Sequence, residues 1–250
     1  MQSPVDSKND DYTVRTRHFD QVREKLHHDM FTSFAHDLKT PLSAIIGSLE
    51  IYTGMESKLT YEKKQILINT ALQEAYRLNK FITNILDMAK LEHGEVKPRK
   101  EPYDMALLMQ DSRITMGHRL DDCNLEITGR DGTFQIATDH MLLSRAICIL
   151  LDNAVKHSNV VPVEIRVWYE KNDDIVTIRV QDNGPGVPQA KKEEIFSKYT
   201  RLSKLDHKDA VSGLGLPICR EIMRLLGGTV SISNLPTDTG GAIFTIALSA

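Results

Sequence analysis

Phe34-Ala35-His36-Asp37-Leu38-Lys39-Thr40-Pro41-Leu42 sets a histidine on the flank of an amphipathic helix. Apolar residues recur around it at Phe31, Ala35, Leu38, Leu42, Ile45, Leu49 and Tyr52, in alternating steps of four and three. That is the heptad spacing of a packed helical seam. His36 directly follows a seam position, so its imidazole is expected to face water, with Asp37 beside it and Thr40 one turn on. Pro41 removes the N–H that would have bonded the Asp37 carbonyl, which predicts a bend just past the histidine. An exposed imidazole beside a carboxylate, over a loosened helix, has the makings of a nucleophile.

Working outward, the spacing predicts a helix over residues 14–52, a short polar connection over 53–60 and a second long helix to about residue 91. The second helix repeats every seven residues at Ala71, Leu78, Ile85 and at Ala75, Ile82, Ala89. Two long helices with a short connection make an antiparallel hairpin. One hairpin would leave much apolar surface wet, so a homodimer closing a four-helix bundle is expected. A hairpin packed on its own globular domain is the alternative. Residues 1–13 are polar and expected to be a disordered tail, which bounds the hairpin at 14–93. Residues 94–104, with Gly94, Pro98 and Pro102, read as a linker.

Beyond the linker, in residues 105–250, the periodicity changes. Strands are predicted over 125–128, 133–137, 163–169, 175–181, 229–233 and 243–248. Val163/Ile165/Val167 and Phe244/Ile246/Leu248 show the alternation of half-buried strands. Helices are predicted over 105–120, 140–157 and 216–226, the last stopped by Gly227-Gly228. The fold class is α+β: a helical hairpin followed by an α/β sandwich with helices on one face of a mixed sheet.

Composition narrows the function. Hydrophobic residues make up 41% and charged residues 26% of the 250, as in ordinary globular domains. A net charge of -3 offers no footprint for nucleic acid or an anionic membrane surface. Cys123, Cys148 and Cys219 form no CxxC pair and read as buried, reduced thiols of a cytoplasmic protein. No apolar run reaches the roughly 18 residues a membrane span needs, so membrane attachment is expected only through a segment absent from this chain.

Three further segments carry chemistry. Asp182-Asn183-Gly184-Pro185-Gly186 follows an apolar strand, and Asp182 shares the parity of Val176, Ile178 and Val180. Its carboxylate is expected on the inner face, able to accept from an exocyclic amine such as that of adenine. Gly184 and Gly186 would let a flat ligand approach the backbone; the same spelling also makes an ordinary turn. Gly213-Leu214-Gly215 leads into a helix whose free N–H groups suit phosphate, though it is neither GxxxxGK[ST] nor GxGxxG. On the helix 140–157, Asn153, Lys156 and His157 share one face. There an amide oxygen could hold magnesium and an ammonium could meet phosphates, or the trio is simply a solvated polar face.

Together these segments resemble sensor histidine kinases over residues 14–250. Phe34–Leu42 is similar to the family's phosphoacceptor box, Leu151–Ser158 to its N box and Asp182–Gly186 to its first glycine box. Ile195–Arg201 resembles the F box, Gly213–Gly215 the second glycine box and Gly240–Phe244 the closing glycine strand. The spellings DNGPGVP and GLGLPICREI look most like the potassium-sensing Kdp-type branch.

The resemblance implies a dimerisation and phosphotransfer hairpin, then a Bergerat-type (GHKL) ATP-binding domain. It also implies ATP and Mg²⁺ as cofactors and a response regulator as partner. His36 would be the phosphoacceptor, Asp37 the general base and Thr40 the residue positioning water in a reverse phosphatase reaction. Asn153 would bind Mg²⁺, Lys156 the phosphates and Asp182 the adenine. His157, Gly184, Gly186, Lys198, Tyr199, Gly213, Leu214 and Gly215 would complete the ATP site. Arg201 would steady the γ-phosphate as it leaves, under a mobile lid over residues 187–211. Ile149, His157 and Ala242 depart from commoner residues of the family, which has a polar side chain, an aromatic and a threonine there. Competing expectations are a degenerate kinase acting as phosphatase or scaffold, and a GHKL-type ATPase that uses nucleotide closure to move domains.

Overall fold

A computed structural model describes residues 34–130, 132–158, 160–197, 213–236 and 240–249. They divide into two compact units, with the boundary between residues 81 and 82.

In the first unit, helix α1 (residues 34–54) continues through Pro41, whose ring is buried. A 3-10 turn at Glu56–Lys58 reverses the chain. Thr60 then caps helix α2 (Tyr61–Glu92), whose residues to Phe81 belong to this unit, its hydroxyl accepting the Lys63 N–H at 3.4 Å. Phe34 and Phe81 meet edge to face, with ring centroids 5.9 Å apart. The predicted α1 seam divides here. Leu38, Ile45 and Tyr52 are half-buried, but Ala35, Leu42 and Leu49 are exposed, while Pro41 and Ser48 are buried. The inner face is therefore rotated from the one the heptad reading chose. Two apolar stripes overlap on this helix, and the chain by itself covers one of them. Leu42, Ile46 and Leu49 on α1, with Ile68 and Leu72 on α2, are among the apolar residues left exposed.

The second unit holds a sheet of five strands in the order β2-β4-β5-β7-β6: Cys123–Gly129, Val163–Asn172, Ile175–Asp182, Ala242–Ser249 and Thr229–Asn234. β2 and β4 are parallel and every other pair is antiparallel, so the sheet is mixed. Helices α3 (Met105–Met116), α4 (His140–His157) and α5 (Gly215–Leu226) lie side by side on one face. Period-two alternation buries Ile165, Val167 and Tyr169 on β4, Val176, Ile178 and Val180 on β5, and Phe244, Ile246 and Leu248 on β7. Leu143, Ile147, Leu150 and Leu151 of α4 are buried too, as are Ile218, Ile222 and Met223 of α5. Val167, Val180, Phe244 and Ile232 stand in register across four strands. Asp104 caps α3 and Asp139 caps α4 through backbone N–H groups, while Gly227 ends α5 in the left-handed region at φ 79.

Two local expectations change. Residues 101–104, read as linker, form strand β1 (Glu101–Asp104), antiparallel to β3 (Gln135–Thr138). Pro102 hides this strand from a propensity reading, and only a two-stranded edge ribbon tolerates it. Of the three free cysteines, Cys219 alone is buried, and its burial pushes the thiol up to about 12; Cys123 and Cys148 are partly exposed.

Candidate functional site

The site of the second unit is assembled at the end of β5. Alternation along β5 carries Asp182 to the inner face opposite Ile165, and its residue is only 5% exposed. The Gly184 N–H donates to Asp182 Oδ1 at 2.8 Å, and the Ala242 N–H donates to the same oxygen at 3.2 Å. Both bonds end on Oδ1, so Oδ2 is the oxygen a ligand's amine would meet. Burial raises the Asp182 pKa, opposed by the two backbone bonds and by the charge of His157. A buried carboxylate with backbone donors on one oxygen is a fixed acceptor for a flat, amine-bearing ligand.

Glycines bring backbone to this carboxylate at distances side chains would forbid. A Cβ on Gly184 would lie 2.8 Å from the His157 carbonyl oxygen, so the turn after Asp182 presses on the end of α4. A Cβ on Gly241 would lie 2.2 Å from the Asp182 carbonyl oxygen, and its φ of +100 suits only glycine. The turn is braced by two asparagines that sequence reasoning missed. Asn183 Oδ1 accepts from Ser158 Oγ at 2.6 Å and from the Glu164 N–H at 3.1 Å. Asn234 bonds both backbone groups of Val187, at 3.0 and 2.7 Å. Asn183 was visible inside the DNGPG spelling, but nothing near Asn234 signalled a partner 47 residues away.

On α4, Asn153 is half-buried, and Lys156 is ion-paired with Asp152 at 2.7 Å. The second glycine turn comes close to the same helix: Leu214 is buried, and a Cβ on Gly215 would lie 3.5 Å from Ile149 Cγ2. Ile149 thus fills an apolar contact against the start of α5. No group of three or more His, Cys, Asp or Glu that could hold a metal exists among the described residues. A single amide oxygen such as that of Asn153 fits an ion held chiefly by a nucleotide's own phosphates. Lys198, Tyr199 and Arg201 lie outside the described residues, as does the lid predicted beyond residue 197. Within the described residues just before it, Phe196 is buried edge to face against Phe244, at 6.4 Å, with the Arg220 guanidinium 5.2 Å over its ring.

In the first unit His36 is exposed on α1. Its Nδ1 lies 3.6 Å from Asp37 Oδ1, the two side chains being 70% and 14% exposed. That is ion-pair reach, longer than a hydrogen bond. Asp37 thus stands on the Nδ1 side of the ring, and Nε2 is the nitrogen it does not face. The Thr40 hydroxyl donates to the His36 carbonyl at 3.1 Å.

An exposed histidine beside a carboxylate on a helical hairpin is thus followed along the chain by a glycine-ringed, buried carboxylate in an α/β sandwich. Residues 27–94 match the His Kinase A (phospho-acceptor) domain. Residues 138–250 match the histidine kinase-, DNA gyrase B- and HSP90-like ATPase domain. The chain belongs to the sensor histidine kinases. It is 30% identical over 234 residues to the sensor protein KdpD of Escherichia coli, covering 90% of this chain and 25% of that one. It is also 30% identical over 250 residues to the aerobic respiration control sensor protein ArcB of Escherichia coli, covering 96% and 31%. The chain thus spans about a quarter to a third of the length of these curated relatives. The fold is shared with histidine kinase ThkA, solved in complex with response regulator protein TrrA, at a TM-score of 0.67 and 19% identity, over 95% of this chain and 66% of that one. No helix among the described residues is long and apolar enough to cross a membrane.

Proposed function

We propose that this chain is the kinase core of a two-component sensor: it transfers the γ-phosphate of ATP to His36, then to an aspartate of a response regulator. The observation that carries this is the pairing, on one chain, of an exposed His36 beside Asp37 with a buried Asp182 whose Oδ1 alone is held by backbone donors.

Asp182 Oδ2 accepts the exocyclic amine of adenine, while Gly184 and Gly186 let the ring approach the backbone. The Gly213-Leu214-Gly215 turn offers N–H groups at the start of α5 to the phosphates, favoured by the helix dipole. Asn153 would hold a Mg²⁺ ion, which supplies charge neutralisation between the phosphates when bound. Lys156 meets the phosphates. By motif, His157, Leu214, Lys198 and Tyr199 line the nucleotide and Arg201 balances charge on the departing γ-phosphate. At the acceptor, Asp37 stands at Nδ1 and draws the ring proton to that side, so that Nε2 presents its lone pair to phosphorus. The bond from Nε2 to phosphorus forms as the bond to the β–γ bridging oxygen breaks, and ADP leaves. Thr40 orients water in the reverse, phosphatase direction. The exposed stripe of Leu42, Ile46, Leu49, Ile68 and Leu72 supports a homodimer. A response regulator as partner is supported by the ThkA–TrrA complex.

The test is incubation with ATP labelled at the γ-phosphate, wild type beside His36→Ala. Acid-labile label on the wild type alone is expected. Free phosphate released equally by both would replace the proposal with a simple ATPase.

A further inference from the structure

Lys156, the residue this reading assigns to the phosphates, already has a partner. Its ammonium lies 2.7 Å from Asp152 Oδ2, one turn earlier on α4. The other carboxylate oxygen, Asp152 Oδ1, lies 3.5 Å from the Arg119 guanidinium, in the 3-10 turn Gly117–Leu120 after α3. Asp152 is largely buried, its side chain 17% exposed, whereas those of Lys156 and Arg119 are 28% and 57% exposed.

Helix geometry makes Lys156 a residue with two possible stations. Around the axis of α4 it lies roughly 40° from Asp152 on one side and roughly 60° from Asn153 on the other. Its ammonium is a compact charge on a flexible four-carbon stem. It therefore reaches either the carboxylate or a ligand over the Asn153 face by rotamer change alone. Moving away would strip a largely buried carboxylate of a cation, which is expensive unless another remains. Arg119 is that other cation.

We infer that Asp152 is a positioning residue that competes with ATP for Lys156. It holds the ammonium in the empty site and releases it to the phosphates, while Arg119 steadies the carboxylate left behind. This rests on the nucleotide reading above and deepens it: phosphate affinity is set by an exchange of partners, not by capture of an unpaired lysine. A lysine that bridged carboxylate and phosphate at once would give the opposite sign, because Asp152 would then aim it.

The experiment is calorimetric binding of ATP and of adenosine to the whole chain, in wild type, Asp152→Asn, Arg119→Gln, Lys156→Ala and the Asp152→Asn/Lys156→Ala pair. For a partly exposed ion pair, Asp152→Asn is expected to tighten ATP about five-fold and Arg119→Gln to weaken it about three-fold. Adenosine affinity stays unchanged in both, and the gain disappears on the Lys156→Ala background. Opposite signs from two neighbouring variants are not produced by a general loss of structure, and Arg119→Gln alters an exposed side chain if Asp152→Asn fails to fold. Equal or weaker ATP binding by Asp152→Asn, or a gain that extends to adenosine, overturns the exchange. A wild type that binds no ATP overturns the nucleotide reading and the exchange together.

Discussion

Asp182 and Ala242, sixty residues apart, are joined by a 3.2 Å hydrogen bond from the Ala242 N–H to the Asp182 carboxylate. Strand β7 thereby fixes the orientation of the acceptor at the end of its neighbour β5. The Ala242 side chain takes no part in this bond, which uses only the backbone N–H.

Asp182→Asn keeps an oxygen for the Gly184 and Ala242 donors but turns an N–H₂ toward the ligand. Donor would face donor, so ATP affinity is expected to fall by at least about 100-fold. Calorimetry beside a thermal melt checks this; a folded variant with undiminished ATP affinity removes Asp182 from the adenine contact.

The same substitution predicts a pH dependence in the nucleotide-free protein. Burial raises Asp182 above its ordinary value of 3.8, so the folded state holds its proton more strongly than the unfolded chain. The favourable contribution of this group is therefore complete below 3.8 and lost as pH rises through the raised value. Above the raised value the wild type carries a buried charge that Asp182→Asn lacks. The variant should be as stable or more stable there, and the wild type should gain on it as pH falls toward 3.8. Urea melts at several pH values test the sign.

Gly241→Ala would force a methyl group to 2.2 Å from the Asp182 carbonyl, on a backbone with φ +100. The nearest atom is backbone and has nowhere to turn, so a loss of more than about 2 kcal/mol in unfolding free energy is expected. Loss of ATP binding should accompany it, because the same backbone carries Asp182.

The open apolar stripe predicts the assembly. Leu42 and Leu72 are 47% and 50% exposed in the single chain. Replacing either with glutamate would place a charge in a bundle interface and shift the protein to monomer, read by sedimentation. An unchanged dimer would locate the interface elsewhere.

What the sequence settled on its own was whatever depends on local periodicity and spelling. Alternation along β5 put Asp182 on the inner face, the spacing of residues 140–157 put Asn153 and Lys156 on one helix, and the order of glycine turns named the family. Long-range geometry was beyond it. The division of the α1 seam into an inner and an open face depends on how α1 docks on α2, and two overlapping heptad stripes look alike in one dimension. Strand β1 was hidden because Pro102 argues against a strand until β3 arrives to pair with it. Asn234 bracing Val187, Ala242 bonding Asp182, and Arg119 sharing Asp152 with Lys156 join segments brought together only by the packing of sheet and helices. Hydrogen bonds and ion pairs act over a few ångströms of space whatever the separation along the chain, so tertiary structure alone decided them.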